Sequence, residues 1–120
     1  MIQRANSMQV NLIMEITDGT FTKSDGSSHR QIQISDDDDW KLFEYVAGVL
    51  EMSLQGHWTQ RLDGTDQRFW DLGVRSGRLT LHLEHYLGIM LYPTAGADAN
   101  SESLALMEKA YSLLSRHEPV

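Results

Sequence analysis

The sequence contains no cysteine, only two prolines, and no apolar run long enough to cross a membrane as a helix. The absence of cysteine excludes disulfide bonds, thiolate zinc sites and a cysteine nucleophile. Near the N-terminus no apolar run follows a basic stretch, so the pattern of a secretory signal peptide is missing. These features are typical of a reducing compartment without membrane insertion, and we expect a cytoplasmic protein.

Positive charge is also scarce. Ten Lys and Arg residues stand against seventeen Asp and Glu residues, which gives a net charge of −7. A protein that binds duplex nucleic acid normally presents clustered positive charge to the phosphates, so nucleic acid is not an expected partner. The phosphate-binding motifs G-x-x-x-x-G-K and G-x-G-x-x-G are both absent. No serine or threonine stands in an activating context, and we predict no cofactor and no enzymatic activity.

The length of 120 residues is typical of one domain. We expect residues 1–7 to form a disordered leader and residues 8–120 to form a single α+β domain. Alternating apolar residues predict a strand at Met8–Ile16 and a second strand at Gln31–Ile34. The polar segment Thr17–His29 between them is predicted to be a hairpin arm or a mobile loop.

An amphipathic helix is predicted after the second strand. Ser35 is the expected N-cap, and the four aspartates from Asp36 to Asp39 would fill the first turn, where the helix dipole favours negative charge. One apolar stripe follows at helical spacing. Its members are Trp40, Phe43, Val46, Ala47, Leu50 and Leu54.

The acidic residues of this segment have two interpretations. Asp37, Asp38, Glu44 and Glu51 could form a surface that steers a basic protein partner. Alternatively, the aspartates complement the helix dipole and the glutamates belong to a solvated face. Calcium binding is not expected, because a calcium loop spaces its ligands and turns at a glycine.

Residues 57–93 predict an antiparallel meander of four strands, with turns at Asp63-Gly64, Ser76-Gly77 and Leu87-Gly88. If Ser76-Gly77 is a two-residue turn, three apolar pairs fall on the inner face and two polar pairs on the outer face. The inner pairs are Val74 with Leu79, Leu72 with Leu81, and Trp70 with Leu83; the outer pairs are Asp71 with His82, and Phe69 with Glu84.

A second helix is predicted after the loop at residues 94–100, with an apolar stripe of Leu104, Met107, Tyr111 and Leu114. The predicted order is therefore β-β-α-β-β-β-β-α. Strands grouped in this way favour an α+β fold, with an antiparallel sheet of five to six strands and both helices packed on one face.

The outer face of the meander offers the chemical candidates. Asp71, His82 and Glu84 could form a three-ligand metal site, or Asp71 and His82 could form a general acid/base pair with a protonated imidazole. The simpler interpretation is a solvent-facing polar surface with one Asp–His hydrogen bond. Phe69 and Tyr86 are predicted to lie with these residues, either as exposed interface anchors or beneath another part of the chain.

The segments Phe69-Trp70-Asp71, Gly77 to Glu84, and Gly88 to Pro93 resemble small bacterial proteins. These include uncharacterised families and immunity proteins that neutralise the toxins of neighbouring cells. The resemblance implies a non-enzymatic α+β protein that binds one toxin domain, and no catalytic residue carries over. Many toxins of this kind are basic nucleases, which agrees with the acidic segment.

The leading hypothesis is therefore a bacterial, cytoplasmic protein-binding domain of the immunity type. Its expected partner is a basic toxin domain, with no membrane, metal or cofactor involved. Two alternatives remain open at this point: a small metal-dependent or acid/base enzyme, and a structural homo-oligomer that uses the aromatic residues and the sheet edge. The predicted partner-binding residues are Asp37, Asp38, Glu44, Glu51, Phe69, Asp71, His82, Glu84 and Tyr86.

Overall fold

The computed structural model describes residues 17–22, 28–94 and 101–115. It has the predicted order of strands and helices and confirms the α+β class. The elements are β1 (Thr17–Thr22), β2 (Ser28–Ser35), α1 (Trp40–Leu54), β3 (His57–Asp63), β4 (Gln67–Val74), β5 (Gly77–Glu84), β6 (Gly88–Pro93) and α2 (Ser101–Ser115). The predicted hairpin arm contains β1, while the predicted strand Met8–Ile16 and residues 1–7 lie outside the described residues.

The six described strands form one antiparallel sheet in the order β1-β2-β6-β5-β4-β3. Both helices pack against one face, where their apolar side chains join those of the inner strands in one core. The largest fully buried side chains are Ile32, Ile34, Phe43, Leu50, Leu72, Leu79, Leu81, Leu83, Ile89, Leu91 and Met107. Burial of each such apolar side chain contributes about 1.5–3 kcal/mol to folding.

Helix α1 begins later than predicted. Its N-cap is Asp39, whose carboxylate accepts a hydrogen bond from the backbone N–H of Lys41 at 2.8 Å. The prediction of Ser35 as N-cap is wrong, because Ser35 is the last residue of β2 and pairs with Ile89 of β6. Asp36, Asp37 and Asp38 therefore precede the helix rather than fill its first turn. Trp40, predicted to be in the core, is 37% exposed.

The turn between β4 and β5 is also displaced from its predicted position. Arg75 and Ser76 form the turn, Val74 pairs with Gly77, and Trp70 pairs with Leu81 instead of Leu83. The register differs from the predicted one by two residues, so the inner face is unchanged. Side chains alternate between the two faces with a period of two, so the alternating pattern alone does not distinguish the two registers.

The reason for this displacement is the packing of Gly77 against α2. A Cβ built on Gly77 would lie 2.6 Å from Leu106 Cδ1 and 3.0 Å from Glu102 Cγ. The glycine therefore serves close approach of the helix rather than the turn. Arg75 takes the left-handed conformation instead, with a φ of 57°.

Candidate protein-binding surface

The candidate residues fall into three separate regions of the fold. Glu44 and Glu51 lie on α1, and Asp37 and Asp38 lie in the connection that precedes it. Phe69, Asp71, His82 and Glu84 lie on the face of the sheet opposite the helices, which we call the outer face. Tyr86 lies in the β5–β6 loop, next to the connection that carries Asp37 and Asp38.

The two helix glutamates are exposed but already have partners within the chain. Glu44 accepts a hydrogen bond from Arg68 at 3.2 Å. Glu51 accepts one from the indole N–H of Trp58 at 3.1 Å. A partner would have to compete with these contacts, so the two glutamates are weaker candidates than the sequence predicts.

Arg68 is a buried cation that the sequence interpretation missed. Its guanidinium lies 4.4 Å from the ring centroid of Trp40, 4.9 Å from that of Phe43 and 4.7 Å from that of Trp70. Asp63 accepts two hydrogen bonds from it, at 3.0 and 3.3 Å. The alternation that places Trp70 on the inner face also places Arg68 there, so the signal was present in β4.

The charges in this cluster stabilise each other. Hydrogen bonds from Arg68 and from the Trp70 indole hold the pKa of Asp63 below its usual value. Burial acts against the charged form of Arg68, but the hydrogen bonds to Asp63 and Glu44 outweigh it and raise the pKa of Arg68. The cluster joins β3, β4 and α1 through side-chain hydrogen bonds.

On the outer face, the predicted pairing of Asp71 with His82 is wrong. Phe69 lies opposite His82, and the two rings stack with centroids 4.0 Å apart. Asp71 lies opposite Thr80 and accepts a 2.7 Å hydrogen bond from its hydroxyl. The Thr80 hydroxyl also lies 2.9 Å from that of Thr94, and both threonines are buried.

His82 lies between a phenol and a carboxylate. Its Nδ1 is 3.1 Å from the Tyr92 hydroxyl and its Nε2 is 2.9 Å from Glu84. Burial lowers the pKa of His82, and Glu84 only partly offsets that effect. Burial, together with Asp71 and Glu84, raises the pKa of Tyr92 to about 12. These shifts favour a neutral imidazole that accepts from Tyr92 and donates to Glu84, not the protonated imidazole that the acid/base alternative requires.

The outer-face residues do not converge on one point. Within residues 17–22, 28–94 and 101–115, no group of three or more His, Asp or Glu side chains is arranged to hold a metal ion. Asp71 is engaged with Thr80, while His82 is engaged with Glu84. The described geometry therefore gives a hydrogen-bonded polar layer on the sheet.

The β5–β6 loop presents the most exposed apolar side chains near the acidic connection. Glu84 pairs with Gly88, which leaves His85, Tyr86 and Leu87 as a three-residue loop. Tyr86 is 87% exposed and Leu87 is 57% exposed. Tyr86 has a φ of 74°, which is unusual for a bulky residue and indicates that its surroundings fix the loop.

The contacts around the loop explain how this conformation is held. Gly88 has a φ of 96°, and a Cβ built on it would lie 2.0 Å from the carbonyl oxygen of Ser35. Gln33 donates hydrogen bonds to the carbonyl oxygens of Ser35 at 2.9 Å and Leu87 at 2.8 Å. The end of β2 and the β5–β6 loop are thus locked together.

Asp38 completes the junction between the loop and the acidic connection. Its carboxylate hydrogen-bonds the His85 ring and the backbone N–H of Tyr86, and the His85 contact is the main cause of the lowered pKa of Asp38. The His85 ring in turn packs on the Tyr86 ring, with centroids 3.9 Å apart. Asp36 and Asp37 remain exposed beside it. We call this surface, made of Asp36, Asp37, Asp38, Tyr86 and Leu87, the loop surface.

Chemically, the loop surface combines an exposed aromatic ring, an aliphatic side chain and carboxylates. This combination is suited to contact with a protein that carries an apolar pocket edged by basic side chains. Sequence reasoning found Asp37, Asp38 and Tyr86 separately. It missed Leu87, because the Leu-Gly pair was interpreted only as a turn.

No helix within the described ranges is long and apolar enough to span a membrane.

Comparisons with known proteins identify a family for this chain but no activity. Searches of curated proteins and of solved structures found no match. One family model, described as a protein of unknown function (DUF3630), matches residues 22–111. That range includes β2 to β6, α1, the loop surface, the last residue of β1 and residues 101–111 of α2, and the chain therefore belongs to the DUF3630 family.

Proposed function

We propose that this chain is a non-enzymatic protein-binding domain and that the loop surface is its contact site. The observation that carries the proposal is the 87% exposure of Tyr86 in a left-handed backbone conformation. A left-handed backbone conformation costs free energy for a residue other than glycine, and residues held in it are often at functional positions. Because the ring already packs on the His85 ring, less side-chain entropy would be lost on binding than from a tyrosine without that contact.

Charge supports a basic partner. The whole chain carries a net charge of −7, and Asp36 and Asp37 stand exposed beside the aromatic ring. Acidic groups at the rim of an interface accelerate association with a positively charged protein, and they do so most strongly at low ionic strength. Leu87 and Tyr86 would then supply the apolar contact at the centre of the interface.

The specific form of the proposal is an immunity-type inhibitor that acts in the bacterial cytoplasm on a basic toxin domain. Its support is the resemblance of residues 69–93 to small bacterial immunity proteins, together with the acidic loop surface. In this form the domain occludes a basic surface of the toxin and needs no catalytic residue of its own.

The first experiment is partner capture with matched variants. The parent chain, a Tyr86→Ser/Leu87→Ser variant and a Met52→Ser control would be immobilised and exposed to extract of the source cell. Met52 is a suitable control because it is 80% exposed but lies on α1, away from the loop surface. We expect a basic protein that binds the parent and the control and is lost from the double variant.

The captured protein then tests the specific form. We expect it to inhibit growth when it is produced alone in a bacterial host, and growth to recover when the parent chain is produced with it. Recovery should fail with the double variant. A captured protein that is harmless would refute the immunity interpretation, and retention by all three chains would refute the loop surface as the site.

A further inference from the structure

Strand β3 is an open edge of the sheet within the described part of the chain. It pairs with β4 on one side, and none of the other described strands pairs with it on the other side. All of its residues are exposed except Trp58, which is partly buried. β3 also contains no proline. An exposed edge strand is a template for pairing with another strand unless it is protected.

The first half of β3 is protected by a bulge. The register shifts between Trp58 and Gln60, so Thr59 is the additional residue. The Thr59 hydroxyl donates a 3.3 Å hydrogen bond to the carbonyl oxygen of Asp71. Bulges bend and twist an edge, which makes pairing there less favourable. The open segment is therefore Gln60–Asp63.

The hydrogen-bond pattern identifies which backbone groups point outward. Gly64 donates to the carbonyl oxygen of Gln67 at 2.7 Å, so this pair is a hydrogen-bonded pair of the β3–β4 ladder. Bonded and non-bonded pairs alternate along an antiparallel ladder. Leu62, opposite Phe69, therefore bonds to β4, while Arg61 and Asp63 direct their N–H and C=O groups to the open edge.

We propose that β3 pairs antiparallel with β3 of a second copy of this chain, with Leu62 at the two-fold axis. Arg61 then lies opposite Asp63 of the second copy, and Asp63 opposite its Arg61. Both pairs use the backbone groups that point to the edge, so the four hydrogen bonds form without any change in the β3–β4 ladder. This association goes beyond the proposed partner binding and uses a different surface.

Side-chain chemistry favours a second copy over an unrelated strand. Arg61 and Asp63 lie on the same face, since the Arg61 guanidinium is 4.6 Å from the Trp70 ring centroid and the Trp70 indole donates to Asp63 at 2.8 Å. Two-fold pairing about Leu62 places each charge beside its opposite. On the outer face the two Leu62 side chains, each 53% exposed, meet each other.

The absence of cysteine makes a direct test available. Leu62→Cys would place two thiols at a non-hydrogen-bonded antiparallel pair, where the Cα atoms are about 4.5 Å apart, within the range that a disulfide spans. Under mild oxidation we expect a covalent dimer. Leu87→Cys is the matched control, because its exposure of 57% is similar but it lies in the β5–β6 loop. Failure of Leu62→Cys to cross-link, or equal cross-linking of both variants, would overturn the proposal.

Sedimentation equilibrium of unmodified chains gives the second test. We expect a reversible dimer for the parent and for Leu87→Lys. Leu62→Lys should weaken association by about tenfold or more, because it sets two positive charges directly opposite each other. A monomeric parent at all concentrations, or a dimer that Leu87→Lys dissolves and Leu62→Lys does not, would overturn the proposal. Because Leu87→Lys changes the loop surface and not β3, loss of partner capture and loss of the dimer are distinguishable.

Discussion

Replacement of Arg68 by Met tests the structural account of the inner face most severely. The substitution introduces an apolar side chain that is also long, and it removes the charge, the paired hydrogen bonds to Asp63 and the single one to Glu44. It also removes the cation from the rings around it. The Arg68 side chain is only 6% exposed, so water cannot replace these contacts on its side.

The expected loss follows from the exposure of the two acids. Removing one partner of a fully buried ion pair costs about 3–5 kcal/mol, because the other charge is left without water. Here the side chains of Asp63 and Glu44 are 45% and 58% exposed and can be rehydrated. We therefore expect a loss of about 2–3 kcal/mol in the free energy of unfolding, or roughly 10 °C in Tm.

Urea unfolding followed by tryptophan fluorescence measures this loss, with Arg61→Met as the matched control. Arg61 also lies over the Trp70 ring, at 4.6 Å, but it is exposed. Its removal should cost less than about 1 kcal/mol, as is usual for exposed cation–π contacts. Equal losses in the two variants would refute the assignment of Arg68 as a buried, paired cation.

The pH dependence of the free energy of unfolding tests how Asp63 contributes to stability. The pKa of Asp63 is lowered in the folded chain from an ordinary value of 3.8, so its stabilising effect is present above that value. The effect is lost as the pH falls through the folded pKa. The difference between the parent and Arg68→Met should therefore shrink as the pH falls below 3.8.

The remaining predictions concern other parts of the fold. Gly88→Ala should destabilise the chain and broaden the NMR resonances of the β5–β6 loop. Gly48→Ala should instead stabilise α1 by about 1 kcal/mol, because a Cβ at position 48 would meet nothing within 4 Å. Because the pKa of His82 is lowered in the folded chain, its stabilising contribution is present above pH 6.5 and is lost as the pH falls through the folded pKa. NMR titration should place the pKa of His82 below 6.5. A value above 6.5 would contradict the neutral imidazole. Thr80→Asp should lower the thermal melting temperature by several degrees, because it buries a second carboxylate beside Asp71, and an unchanged melt would contradict the buried hydrogen bond.

The sequence predicts which side chains of the sheet face the core, but not the exact register of the strands. Alternation in β4 and β5 identified Trp70 and Leu72 as inward, which is confirmed. A shift by two residues keeps every residue on its face, so alternation could not locate the turn. That information lies in the contact between Gly77 and Leu106 of α2, which is far away in sequence.

The start of α1 was not predictable from local preference alone. Ser35 and each of the aspartates that follow it are all good N-cap residues. The choice of Asp39 depends on β2 continuing through Ser35 to pair with Ile89, and on the close contact of Ser35 with Gly88. Trp40 then begins the helix at its exposed edge and covers Arg68 instead of entering the core.

The loop surface was found from the sequence only as separate residues. The run of aspartates was predicted, but Tyr86 was predicted to lie on the outer face of the meander rather than in the β5–β6 loop, where the structure places it. The two segments are 47 residues apart at the Asp38–His85 contact. Their proximity depends on β2 pairing with β6, a non-consecutive pair in the sheet order. Likewise, the separation of Asp71 from His82 depends on the exact register of β4 and β5.

Site-specific photocross-linking in the source cell tests most directly whether the loop surface binds a protein. A benzophenone amino acid would replace Tyr86 in one chain and Met52 in the other, both of which are highly exposed. We predict that the chain labelled at position 86 cross-links one basic protein and that the chain labelled at position 52 does not. The same cross-linked products from both positions, or no protein cross-linked from position 86, would contradict the proposed function.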